Sequence, residues 1–85
     1  MFYIYAISSL KRNWIYVGMT IDLKARIERH NDGRERTTKG YRPFELIYTE
    51  TVETRLEARA REKYWKSGVG KEQLRLIRDN KIVPK

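Results

Sequence analysis

The chain has 85 residues, no cysteine and a net charge of +8, from 19 Lys and Arg against 11 Asp and Glu. This length is near the lower limit for a chain that folds alone, so one domain over residues 1–85 is expected, with no second module. The missing cysteines exclude a disulfide framework and a cysteine zinc site, the single histidine argues against structural zinc, and both fit a reducing, cytoplasmic setting.

At 40% hydrophobic and 12% aromatic the composition suits a packed core rather than disorder. The basic balance attracts polyanions, of which nucleic acid is the usual one. The apolar run at the N-terminus is broken by Ser8-Ser9 and Lys11-Arg12. It is too short to cross a bilayer and lacks the basic leader of a secretory signal, so no membrane partner is expected.

In chain order, Phe2 to Ile7 alternates with a period of two and reads as a strand, with Phe2, Ile4 and Ala6 on one side and Tyr3, Tyr5 and Ile7 on the other. Ser8 to Asn13 reads as a hairpin loop, and Trp14 to Gly18 as the returning strand. A symmetric hairpin pairs Ile7 with Trp14, Tyr5 with Tyr16 and Tyr3 with Gly18, which sets the two phenols side by side, roughly 5 Å apart at Cβ. Thr20 or Asp22 caps a helix that runs to about Asn31 and stops at Gly33, a natural left-handed C-terminal residue. Leu23 and Ile27 face its core side, and the i, i+4 pair Arg26 and His30 flanks that stripe.

Asp32 to Arg42 reads as a mobile basic loop whose Arg34, Arg36, Lys39 and Arg42 are either a solvated surface or phosphate-backbone contacts; Thr37, Thr38 and Gly40, which permit close approach, favour the latter. Phe44 to Tyr48 is a third strand. Thr54 with Glu57 matches a capping box and opens a helix that ends near Ser67-Gly68. Leu56, Ala60 and Tyr64 lie on one of its faces, Ala58, Glu62 and Trp65 on another. A short helix from Gly70 through Leu74 and Ile77 follows, and residues 80–85 form a short basic tail beyond a core of about 2–78.

Taken singly these residues have plain readings. Tyr5 and Tyr16 are ordinary cross-strand aromatics on spacing alone, Arg26 a solvated helix charge, and His30 a satisfied helix-end residue. Glu62 pairs with Lys66 at i+4, Tyr3, Tyr64 and Trp65 are core, and Gly18 lets a strand end turn toward the helix. Taken in order, they supply phenols, a fixed cation, an imidazole and a carboxylate, the parts needed to cut a phosphodiester.

In that order the chain resembles the GIY-YIG nuclease domains, from Phe2 to about Ile77, and among them the small stand-alone members. Tyr3-Ile4-Tyr5 stands where the first triplet belongs, with Tyr3 in place of its glycine, and Tyr16-Val17-Gly18 where the second belongs. Leu23-Lys24-Ala25-Arg26 matches the helix that carries the family's arginine, His30 its histidine one turn on, and Glu62-Lys63-Tyr64-Trp65 the metal-binding glutamate before an aromatic pair. The asparagine that many members carry downstream has no clear counterpart, since Asn80 lies in the tail.

The resemblance implies an α+β fold, a small three-stranded, mostly antiparallel sheet flanked by helices. It implies an endonuclease that hydrolyses DNA phosphodiester bonds, in repair or recombination, with one Mg²⁺ or Mn²⁺ ion on Glu62 and no small-molecule cofactor. In this scheme Arg26 binds phosphate through its planar fork, Tyr16 or Tyr5 acts as general base or orients the water, and His30 relays a proton or positions a tyrosine. The alternatives are a non-catalytic nucleic-acid-binding module with the same basic face and, third, a subunit that lends the fold to a larger assembly.

Overall fold

The computed structural model describes residues 1–79; the tail expected over residues 80–85, with Asn80, lies outside the described residues. The elements are β1 (Phe2–Ser9), β2 (Ile15–Thr20), α1 (Leu23–Asn31), a 3₁₀ turn (Lys39–Tyr41), β3 (Phe44–Val52), α2 (Arg55–Lys66) and α3 (Gly68–Arg78). The strands form one antiparallel sheet in the order β2-β1-β3. This is the α+β architecture expected, with a three-stranded sheet and helices on both of its faces.

The central strand explains the arrangement. β1 is apolar on both sides, which only a strand covered on both faces requires. Its Ile4 and Ala6 join Ile15 and Val17 of β2 beneath Ala58 and Trp65 of α2 and Leu74 of α3. Its Tyr5 and Ile7 join Phe44 on the other face, covered by Leu23 and Ile27 of α1 and flanked by Trp14, Tyr16 and Tyr41.

The hairpin register differs from the symmetric expectation by two residues. Tyr5 pairs with Gly18, Ile7 with Tyr16 and Tyr3 with Thr20. β1 runs on to Ser9, whose N–H donates to the Trp14 carbonyl, so the turn is shorter and farther along the chain. A slip of two preserves the facing of every side chain, whereas a slip of one would invert it. The phenols therefore stay on one face as diagonal neighbours, with ring centroids 6.4 Å apart.

Gly18 explains the register. It lies within β2, not at a turn toward the helix as expected, and a Cβ there would come within 2.5 Å of the Tyr5 hydroxyl oxygen. Only glycine leaves room for the Tyr5 ring to lie across β2.

The helix ends follow their local signals. Asp22 caps α1 by accepting from the Ala25 N–H. Gly33, at φ +77°, closes it: its own N–H reaches the His30 carbonyl and the Arg34 N–H the Arg29 carbonyl, a Schellman pattern. The Thr54–Glu57 capping box opens α2. α3 begins at Gly68, two residues earlier than expected, because the Ser67 hydroxyl accepts from the Gly70 N–H and caps it.

Two expectations change at α2 and β3. Of the two apolar faces expected on α2, the one with Ala58 and Trp65 is buried, while on the other Tyr64 packs against the core at its margin and Leu56 is 82% exposed. β3 continues to Val52, past an irregularity at which Ala6 pairs with Tyr48 and Ile7 with Leu46, leaving Ile47 as the extra residue. The extension carries Glu50 to α2, where it accepts from the Tyr48 hydroxyl at 2.7 Å, the Trp65 indole at 3.0 Å and the Arg61 guanidinium at 2.6 and 3.1 Å. Of the three aromatics expected in the core, Trp65 is buried, while Tyr64 and Tyr3 are half-buried.

Candidate active site

Tyr5, on the central strand, is 0% exposed, and its hydroxyl lies 2.8 Å from Nε2 of His30, which is 1% exposed. The other ring nitrogen of His30, Nδ1, lies 2.8 Å from the Thr38 hydroxyl, also buried. The chain Tyr5–His30–Thr38 thus ties the central strand, the last turn of α1 and the following loop together, and both imidazole nitrogens are engaged.

Burial controls the protonation of this chain. It pushes the Tyr5 phenol well above its ordinary value; the neighbouring Tyr16 adds to this, and the Arg26 guanidinium acts against it. Burial also holds His30 below its ordinary value, with Glu35 opposing and Arg26 and Arg29 reinforcing. Tyr5 is therefore a neutral phenol and His30 a neutral imidazole at pH 7.

Tyr16 differs from Tyr5. It sits on β2, an edge of the sheet, and is half-buried, with its ring centroid 5.2 Å from that of His30. The Lys66 ammonium of α2 stands 6.0 Å from its ring centroid. Lys66 is also ion-paired at 3.2 Å with Glu62, whose side chain is 15% exposed.

The edge position of β2 allows this convergence. Tyr5 and Tyr16 belong to the α1 side of the sheet, whereas α2 packs on the other. Groups from the two layers can meet only around an edge. There, where β1 begins and β2 ends, an open cleft of about 320 Å³ is lined by Arg26 from α1, Arg55, Arg59 and Glu62 from α2, and Phe2, Met19, Thr20 and Ile21; Tyr5, Tyr16 and His30 do not line it.

Arg55 and Arg59 carry no strong local signal, but the helical period of α2 points to them. At about 100° per residue, Arg55, Arg59, Glu62 and Lys66 fall within roughly one sixth of the helix circumference. Glu35 was also not singled out by the sequence; it pairs with Arg29 at 3.0 Å and approaches Arg26 at 4.0 Å.

The loop over residues 32–42 has anchors that an open loop lacks. Thr38 is committed to His30, the Tyr41 carbonyl accepts from the Ser9 hydroxyl, and the Asn31 side chain accepts from the Phe44 N–H at 2.7 Å. Of its expected phosphate ligands, Arg34 pairs with Asp32 at 3.1 Å and Arg42 lies over Gly33, while Arg36 and Lys39 are exposed. None of the four lines the cleft.

Among the described residues no three His, Asp or Glu side chains gather as a cation site. Glu62 offers one carboxylate. Mg²⁺ retains most of its waters and is commonly held by one or two carboxylates together with substrate phosphates. The donor set therefore fits an ion that binds along with a phosphate, once Lys66 has released the carboxylate.

Comparison with known proteins gives the family and the fold. The model of the GIY-YIG catalytic domain family matches residues 1–75. UPF0213 proteins of Staphylococcus aureus strains Mu3 and N315 are each 41% identical over 66 residues, covering 76% of this chain and 80% of theirs. The solution NMR structure of a UPF0213 protein from Bacillus halodurans aligns with a TM-score of 0.52 at 33% identity, covering 87% of this chain and 82% of that one.

Proposed function

The chain belongs to the GIY-YIG catalytic domain family, a nuclease-type family, and on that premise we propose that it is an endonuclease hydrolysing DNA phosphodiester bonds with one Mg²⁺ or Mn²⁺ ion. The observation that carries this reading is the cleft at the β2 edge, where Glu62 and Arg26 face one space and Lys66 links Glu62 to the Tyr16 ring.

The residues divide the work by exposure. Arg26 presents its fork to the scissile phosphate and stabilises the charge that builds there. Tyr16, the more open phenol, orients the attacking water and, in its phenolate form, accepts its proton. Tyr5, sealed against His30, holds that face of the sheet in place and keeps the Tyr16 ring at its station. His30 acts through Tyr5 and not on the substrate. Glu62 would hold the ion, which when bound lends positive charge to the phosphate and leaving oxygen.

A nicking assay on supercoiled plasmid, with and without Mg²⁺, tests the proposal. Nicking is expected to require the ion and to disappear in Glu62→Ala; cleavage that persists in that variant overturns the assignment. A second reading, a non-catalytic nucleic-acid-binding module with the same fold, is favoured by one feature. The Glu62 carboxylate is already satisfied by Lys66. DNA binding with no nicking under any divalent ion would select it.

A further inference from the structure

The +8 charge does not by itself say where a nucleic acid lies. The loop over residues 32–42 carries four cations, but two of them are partly spent: Arg34 on Asp32, Arg42 against Gly33 and the Lys39 carbonyl. On α1, Arg26 and Arg29 share Glu35.

One face of α2 is different. Arg55, Arg59 and Lys66 lie in line with Glu62, and among the described residues no carboxylate lies within ion-pair distance of Arg55 or Arg59. Both arginines line the same cleft as Glu62 and Arg26. From Arg55 to Lys66 the helix rises about 16 Å, and one DNA strand carries a charge every ~3.4 Å along the duplex axis. The face is therefore long enough to follow several consecutive phosphates, with the carboxylate part-way along it.

We propose that the strand to be cut runs along this face of α2. Arg55 and Arg59 hold phosphates on one side of the phosphate at Glu62, Lys66 holds one on the other, and this track, not the loop over residues 32–42, is the main nucleic-acid contact. The inference rests on the nuclease reading for the position of the scissile phosphate. It adds to that reading which helix face carries the strand and which cations grip it.

The test is fluorescence anisotropy of a labelled duplex oligonucleotide with the full chain carrying Glu62→Gln, titrated over salt concentration. Each phosphate contact contributes about 0.9 to the slope of log K against log salt. Arg55→Ala with Arg59→Ala should reduce that slope by about two units, whereas the loop pair Arg36→Ala with Lys39→Ala should leave it within about half a unit. Arg55→Lys with Arg59→Lys keeps the charges and should retain the slope, which separates lost contacts from lost folding.

A slope that falls with the loop pair and not with the α2 pair overturns the track, as does a slope that neither pair alters. Wild-type nicking alongside either result leaves the nuclease reading standing and removes only the track. The expected slope change without any wild-type nicking keeps the track and removes the nuclease reading. Absence of salt-dependent binding removes both.

Discussion

Tyr5→Phe separates the scaffold from the chemistry, and its effect follows from the geometry. The substitution deletes one oxygen and leaves the ring, so packing against Tyr16 and His30 is retained. It removes the hydrogen bond at 2.8 Å and strands Nε2 of a histidine that is 1% exposed, where water cannot replace the lost partner. A buried polar atom left unpaired costs about 1–3 kcal/mol. A central figure of about 2 kcal/mol lowers the folding equilibrium roughly 30-fold and, in a domain of this size, the melting temperature by about 8–16 °C. Thermal melts followed by circular dichroism measure this, with urea titration as a check. Thr38→Val strands the opposite nitrogen and should cost a similar amount. The double variant should cost less than the sum, because both act on one ring. A melting temperature for Tyr5→Phe within about 2 °C of wild type would refute the claim that this chain is a buried structural tie. By contrast, Tyr16→Phe should leave the melting temperature near wild type and lower nicking about 10²–10⁴-fold, the usual weight of a general base.

Gly18→Ala should destabilise by about 1–3 kcal/mol, since its methyl meets a Tyr5 ring with no room to retreat; an unchanged urea midpoint counts against the register argument. Unfolding free energy should also depend on His30. The unfolded chain, with an ordinary histidine value of 6.5, takes up a proton more readily than the buried ring, so stability is complete above about pH 6.5 and declines as pH falls below it. Urea titrations from about pH 7.5 to 5 should show that decline in wild type and a flatter profile in His30→Gln. Glu50 acts at lower pH. Burial raises its carboxyl, but the bonds from Arg61, Tyr48 and Trp65 outweigh burial and hold it below its ordinary 4.5, so its contribution is present above that value and is lost as pH falls past it. Glu50→Gln should cost about 1–2 kcal/mol at pH 7, a figure discounted for the partial exposure of Arg61, and should weaken the acid limb below about pH 4.5; equal acid sensitivity in both proteins excludes the assignment.

Much of the architecture was legible because its signals are local. Period-two alternation marks Phe2 to Ile7, the Thr54–Glu57 pair marks the start of α2, and Gly33 marks the end of α1 through a φ that other residues resist. The common face of Tyr5 and Tyr16 was also legible, because alternation fixes parity even when the register slips by two.

What only the tertiary structure decided depends on contacts between distant parts of the chain. The register was set by a Tyr5 ring that fits over Gly18. The difference between a sealed phenol and an open one came from β1 lying at the centre of the sheet and β2 at its edge. The partners of His30 and Arg26, Thr38 and Glu35, lie in a segment whose sequence points to charge and close approach but not to these pairings. The edge of β2 also brought Arg55 and Arg59 beside Glu62 and Arg26, for no local propensity records which layers of a fold will meet around a strand.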